Sequence, residues 1–282
     1  MSGSLFVVAT PIGNLEDITL RALRVLREVD VIAAEDTRRT ARLLSHYSIA
    51  TLTQSFHQHN IRTRLPHLMQ RLEQGGTVAL VTDAGTPSIS DPGVELVQAA
   101  IERAIRVEPV PGASAPLAAA VASGFPLEPL TIFGFAPSRA KARSAWMSEI
   151  AAIRHTCTFF EAPHRIEATL HDAVGILGKR QIVIARELTK VHEEVVRGFP
   201  IDLIGRMANI KGEFTVVIGP APVPLHREQT SPDADIYDEF RRSANNVGPG
   251  GRRQVIVGLA SKYGRSTRDV YGIIERLKKE VV

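Results

Sequence analysis

Three clusters of ionisable residues in this 282-residue chain have the types and spacing needed to hold an anion or move a proton. They are Glu35-Asp36-Thr37-Arg38-Arg39, Glu161 with His164 and Arg165, and Arg186-Glu187-Leu188-Thr189-Lys190. Each follows a short apolar run of β type, which places it at the end of a strand, where α/β proteins carry their chemistry. Arg38, Arg39, His164, Arg165 and Lys190 are suited to gripping phosphates. Glu161, Glu187 and Lys190 are the candidates for orienting a hydroxyl or taking its proton. The competing reading is salt bridging around helix starts, where acidic residues are favoured.

Three loops rich in glycine and proline also follow strand-like runs: Ala9–Asp17, the turn from Thr82 to Gly93, and Val110–Pro116. In the second, Asp83 supplies a carboxylate, Gly85 lets a ligand approach the backbone, and Pro87 stiffens the turn. A helix over 93–103 is expected to start from an Asp91 cap. In the third, Ser114 and the free N–H groups of an alanine-rich helix can meet polar ligand atoms. No loop carries G-x-G-x-x-G or G-x-x-x-x-G-K-[ST], which argues against dinucleotide and P-loop sites. The nine histidines and one cysteine show no metal-ligand spacing, so no metal is expected. His57-Gln58-His59-Asn60 reads as a polar loop in which Asn60 caps a helix from about Ile61. Cys157 reads as a buried, inert thiol.

These loops need a scaffold of alternating strands and helices. Strands are predicted at Leu5–Ala9, Val29–Ala33, Val78–Val81, Arg106–Val110, Thr131–Phe135, Thr156–Phe160, Ile182–Ala185, Val191–Arg197 and Phe214–Ile218. Helical period appears at Leu20, Leu23, Val25 and Leu26, at Leu65, Leu68, Met69 and Leu72, and at Ile166, Leu170, Val174 and Leu177. The alternation predicts an α/β protein, with a more antiparallel sheet from Thr156 onward. Boundaries fall near Pro109–Gly112 and at the Pro220–Pro224 linker, giving domains 1–110, 111–220 and 221–282. In the last, 252–262 and 267–279 read as a helical hairpin broken at Gly264 and restarted by Ser266 with Asp269, after a loop at 245–251.

With 44% hydrophobic and 23% charged residues, the composition is that of a soluble globular protein and excludes general disorder. A single cysteine excludes an internal disulfide and suggests a reducing compartment, so cytoplasm is expected. No secretory signal is visible, and the longest uncharged stretch, Pro109 to Leu127, carries too many prolines for a membrane helix. The net charge of +4 is concentrated at the end of the chain, where 251–282 holds eight Lys/Arg against three Asp/Glu. Arg252, Arg253, Lys262, Arg265 and Arg268 are therefore candidate nucleic-acid contacts, and a packing-only role for the hairpin stays open.

Seven ordered motifs over residues 5–219 resemble the tetrapyrrole methylase fold family, in its branch acting on small-subunit ribosomal RNA. They are Thr10-Pro-Ile-Gly-Asn-Leu15, Ala34-Glu-Asp-Thr-Arg38, Thr82-Asp-Ala-Gly-Thr-Pro87, Ser90-Asp-Pro-Gly93, Pro111-Gly-Ala-Ser114, Phe160-Glu-Ala-Pro-His-Arg165 and Ala185-Arg-Glu-Leu-Thr-Lys190. The resemblance implies two α/β domains with a cofactor cleft between them, plus a small C-terminal helical segment. It implies transfer of a methyl group from S-adenosylmethionine to a cytidine ribose 2′-hydroxyl in the decoding region of 16S rRNA, in an assembled or nearly assembled small subunit, by a homodimer. The residues it assigns to the cofactor are Pro11, Asp83, Ala84, Gly85, Thr86, Ile89, Gly112, Ala113, Ser114, Ala115, Phe160, Glu161, Ala162, Gly212, Glu213 and Phe214, with Lys211 in the same wall. A small-molecule methylase and a non-enzymatic ribosome-assembly factor are the alternatives.

Overall fold

A computed structural model describes residues 3–89, 91–207, 212–222, 232–244 and 251–280. The expectations at Ser90, Lys211, 223–224 and 245–250 lie outside the described residues. The chain forms two compact units, Met1–Ala221 and Pro222–Val282, so the halves expected on either side of residue 110 share the first unit.

In that first unit, β1 (Ser4–Val8), β2 (Val31–Ala34), β3 (Thr53–Ser55), β4 (Thr77–Val81) and β5 (Arg106–Val110) form a parallel sheet in the order β3-β2-β4-β1-β5. The pleat sends alternate residues to opposite faces, and both faces are covered. Leu5, Val78 and Leu80 meet Leu68, Met69 and Leu72 of α3 (Ile61–Glu73) and Leu96 and Ala100 of α4 (Val94–Glu102). Val8, Ala79 and Val81 meet Ala22, Val25 and Leu26 of α1 (Leu20–Glu28) and Leu44 of α2 (Thr37–His46). Because every strand runs the same way, the loops after β1, β2, β4 and β5 gather along one edge.

The chain leaves that edge through Pro111–Ser114 into α5 (Ala115–Ser123), which packs on a second sheet through Ala119 against Val183, Ala185 and Val217. This sheet holds β6 (Leu130–Phe135), β7 (Thr156–Glu161), β8 (Ile182–Arg186), β9 (Glu194–Gly198) and β10 (Phe214–Ile218), in the order β6-β7-β10-β8-β9. Only β6 and β7 pair in parallel; the other pairings are antiparallel, as the close spacing of the later strands suggested. Its far face is covered by Met147 and Ile150 of α6 (Ala140–Ala152), Leu170, Ala173 and Leu177 of α7 (Ile166–Leu177), and Leu203 of α8 (Pro200–Leu203). Cys157 is fully buried there.

The second unit holds α9 (Pro232–Ala244), α10 (Arg252–Lys262) and α11 (Thr267–Glu280), joined by Ile236, Leu259, Val270, Ile273 and Ile274. The expected hairpin is therefore a three-helix cluster. The Ser266 hydroxyl and Asp269 form the expected reciprocal cap, with Asp269 N donating to Ser266 Oγ at 3.1 Å.

Candidate active site

A cavity of about 350 Å³ lies between the collected edge of the first sheet and the end of the second. From the first sheet come Ile12, Glu35, Arg39, the run Thr82–Thr86, Ile89 and Asp91; from the second come Phe135, Phe160–Pro163 and Glu213–Thr215, with Ser114–Pro116 at the start of α5. Of the residues assigned to the cofactor from sequence, Asp83, Ala84, Gly85, Thr86, Ile89, Ser114, Ala115, Phe160, Glu161, Ala162, Glu213 and Phe214 line it. Phe214 contributes from within the core of the second sheet, where its ring is buried.

Pro11, Gly112, Ala113 and Gly212 do not line the cavity but shape it. Gly112 passes so close to Ala9 that an added Cβ would stand 3.0 Å from the Ala9 Cβ. The Ala113 carbonyl accepts from Thr86 Oγ1 at 3.2 Å, tying two loops together. Gly85 has φ +86° and exchanges two backbone hydrogen bonds with Thr10, at 2.9 and 3.0 Å. Its N–H is thus spent on the first loop rather than offered to a ligand. Pro11 lines an adjoining depression of about 430 Å³ with Gly13, Arg42, Lys190 and Leu15; the two hollows share Ile12, Arg39, Thr82, Asp83, Ala84 and Glu213.

The cavity is acidic on one side and aromatic on the other. The Asp83 carboxylate accepts from Asp36 N at 3.0 Å and pairs with Arg39 at 3.3 Å. Burial, helped by nearby Glu35, raises its pKa. Glu35 accepts from the Thr82 hydroxyl at 2.7 Å. Asp91 does not cap α4: the cap is Gly93, at φ +140°, because only glycine takes that turn readily. Asp91 instead faces the cavity, where burial and the charges of Glu35 and Asp83 push its pKa up to about 6 against the pull of a Thr82 hydrogen bond. Opposite stand Phe135 and Phe160, with ring centroids 5.3 Å apart. The Ser114 hydroxyl has no partner among the described residues although its oxygen is buried.

The two candidate bases differ. Glu161 is 1% exposed, and its carboxylate accepts from Ala162 N at 2.7 Å, Arg165 Nε at 2.8 Å and Thr169 Oγ1 at 2.5 Å. It fixes the start of α7, and Arg165, expected to hold a phosphate, is spent on it; His164 stays exposed. Glu187 lies in a loop where Glu187 and Thr189 both have positive φ, +50° and +66°. The sequence had placed a strand from Val191; the strand starts at Glu194, and Val191 projects into solvent. Burial pushes the Glu187 pKa up, but hydrogen bonds from Glu213 N and Lys190 Nζ, both at 3.0 Å, outweigh it and leave the pKa lowered. Gly212, at φ +119°, makes room for this side chain.

The remaining expectations divide by partner. Arg38 is folded onto Asp36, whose pKa its guanidinium lowers to about 2. In the second unit Lys262 and Arg265 pair with Glu239 and Asp233 of α9, while Arg252, Arg253 and Arg268 are exposed. Asn60 stands at the N-cap of α3, as expected, and its carbonyl accepts from Arg64 N at 3.0 Å, but its side chain does not cap the helix: it accepts from His57 N at 2.9 Å and donates to Ser55, stapling the loop. Among the described residues no three His, Cys, Asp or Glu side chains are grouped to hold a metal ion, and no helix is long and apolar enough to cross a membrane. Sequence reasoning missed Asp91 and Phe135 as cavity residues and had Glu35 only as a member of an ionisable cluster, although each ends or follows a strand that it had located.

Comparison with known proteins decides the family. The profile described as Tetrapyrrole (Corrin/Porphyrin) Methylases matches residues 4–200. The chain belongs to the tetrapyrrole methylase family. This methylase is 43% identical to Ribosomal RNA small subunit methyltransferase I of Halalkalibacterium halodurans, over 96% of this chain and 94% of that one. It is 46% identical to the Vibrio cholerae protein of the same name over 76% of each chain. Among solved structures, diphthine synthase superposes with a TM-score of 0.62 at 15% identity, covering 77% of this methylase and 90% of that chain. Uroporphyrin-III C-methyl transferase from Thermus thermophilus, complexed with S-adenyl homocysteine, gives 0.54 at 18% identity, covering 77% and 97%. At these identities the superpositions show the fold.

Proposed function

We propose that this methylase transfers a methyl group from S-adenosylmethionine to the ribose 2′-hydroxyl of a cytidine in the decoding region of 16S rRNA. The observation that carries this reading is the pair of adjoining hollows, one enclosed between acidic and aromatic walls, the other bordered by Arg39, Arg42 and Lys190. Relatives over 40% identical, with most of both chains aligned, bear the name of a small-subunit rRNA methyltransferase, which supports an RNA acceptor.

The donor cavity fits S-adenosylmethionine by size and by chemistry. Its volume is in the range of ordinary small-molecule sites. Ser114 Oγ and the first turn of α5 meet polar atoms, Asp83 and Asp91 favour a cationic ligand, and Phe135 and Phe160 offer ring faces. When bound, the donor supplies an activated methyl group on a sulfonium. The chain's residues do the rest: they hold the acceptor oxygen in line, exclude water and receive one proton. Holding two reactants in place contributes about 7–11 kcal/mol in favourable cases, more than a general base does. Glu187 lines neither hollow itself but is bonded to Lys190 and Glu213, which line the second; from there it accepts or orients that proton, and Arg39 and Arg42 carry flanking phosphates.

In this reading residues 1–110 and 111–220 are the two halves that enclose the donor, and 221–282 adds RNA contacts through Arg252, Arg253 and Arg268. The assembled or nearly assembled small subunit is the substrate, the protein is cytoplasmic, and it acts as a homodimer. The exposed Leu117 and Val121, one turn apart on α5, fit a subunit contact. The test is mass-spectrometric nucleoside mapping of 16S rRNA after incubating small subunits with the protein and labelled donor. One labelled 2′-O-methylcytidine supports the reading. No transfer to subunits or to naked rRNA, with donor binding verified, overturns it in favour of a small-molecule acceptor.

A further inference from the structure

Away from the active site, the outer edge of the first sheet carries a polar groove of about 620 Å³ beside β3 and α3. Its walls are Arg64, His67 and Arg71 of α3, with Gln54 of β3, Gln70 and Gln74; among the described residues no apolar side chain lines it. Arg64, His67 and Arg71 recur at i, i+3 and i+7, so they form one stripe about 10 Å long at 1.5 Å per residue. We propose that this stripe is a contact for the RNA sugar-phosphate backbone, outside the catalytic cleft.

Charge assigns the occupant. Asp30, the one acid among the described residues that line the groove, accepts from the Thr77 N–H and hydroxyl at 2.6 and 2.9 Å; its charge also acts on Arg71, so the two arginines leave the groove with an excess of one positive charge. Glu73, on the same helix, pairs instead with Arg103 at 2.8 Å. Among the described residues neither Arg64 nor Arg71 has an acidic partner within ion-pair distance. Both guanidiniums are exposed, so each binds one anion only weakly. Such a row becomes effective along a polyanion, where each neutralised phosphate releases counterions and the gains add. The three glutamine amides donate and accept at once, matching ribose hydroxyls as well as phosphate oxygens. An apolar peptide or a lipid chain finds nothing to bury here.

This inference rests on the RNA acceptor proposed above, and its test separates the two. Binding of labelled protein to small subunits is measured across a salt series for the full-length wild type, Arg64→Gln/Arg71→Gln, and Arg24→Gln. Arg24, on α1 and paired with Glu28, is the control for loss of a surface cation. Two lost phosphate contacts should lower the slope of log K against log salt by about 1.4 and weaken binding roughly tenfold near 0.1 M salt. Donor affinity should match wild type, and Arg24→Gln should keep the wild-type slope. Arg64→Glu/Arg71→Glu should weaken binding further. A double variant with the wild-type slope and affinity overturns the contact, whereas wild type that transfers no methyl to RNA overturns the function. The slope is read from binding alone, so neither failure hides the other.

Discussion

The corner after β7 and the loop after β8 start from the same materials, a glutamate beside a basic residue at a strand end, and finish as opposites. Glu161 is sealed under three donors, one of them the Thr169 hydroxyl eight residues on. Glu187 sits on a backbone with two left-handed residues, partly open, held by Lys190 and by the Glu213 N–H 26 residues away. Residue type sets what a side chain can do; the number of donors around it and its access to solvent set what it is left free to do. A fully satisfied buried carboxylate braces the fold, while a strained, accessible one is available for chemistry.

The comparison is broken most forcefully at its buried member. Glu161→Ala should leave Arg165 without its partner and cost about 3 kcal/mol, lowering Tm by roughly 6–12 °C in a domain of this size. Thermal unfolding followed by circular dichroism reads it, and an unchanged Tm would mean that Glu161 is not a brace. Next is Gly212→Ala, which puts a Cβ within 2.9 Å of the Glu187 side chain at φ +119°. It should cost about 2 kcal/mol and slow methyl transfer with it, since Glu187 must move. A variant of wild-type stability and rate would show that the Glu187 position is not constrained.

The acidic wall sharpens the contrast through pH. Asp91 has its folded pKa raised to about 6, so its contribution to stability is present at low pH and lost as pH rises through about 6. A cationic donor favours the ionised form, so donor affinity should increase about tenfold between roughly pH 5 and 7. Calorimetric titration across that range should show the rise in wild type and a flatter profile in Asp91→Asn; equal profiles would remove Asp91 from the donor site. The smallest effect is expected from Arg39→Gln. Its exposed pair with Asp83 should leave Tm nearly unchanged, while the salt slope of RNA binding falls by about 0.7. A wild-type slope would place Arg39 off the RNA path.

Much of this architecture was legible because its signals are local. Arg106–Val110 and Phe214–Ile218 were located to the residue, the second being made of β-branched and aromatic residues and closed by Gly219, the first being closed by Pro111 and Gly112. The loops that line the cavity followed from strand ends and glycines. β3 escaped because Thr53-Gln54-Ser55 is three polar residues on a sheet edge, too short to alternate. α9 escaped although its start carries Pro232, Asp233 and Asp235 and its last turn Arg241 and Arg242, a charge order that marks helix polarity. Asp91 was misassigned as a cap because the choice between Asp91 and Gly93 depends on a backbone angle that composition does not reveal. The split between Glu161 and Glu187 was illegible for a deeper reason: their decisive donors arrive through tertiary structure.

That split is tested most directly by measuring donor affinity and single-turnover methyl transfer to small subunits for Glu187→Gln beside wild type. The account predicts a donor Kd within about twofold of wild type and a transfer rate lowered by about a hundredfold or more, the usual contribution of a positioned base. Transfer at the wild-type rate would contradict it and return the reaction to positioning alone.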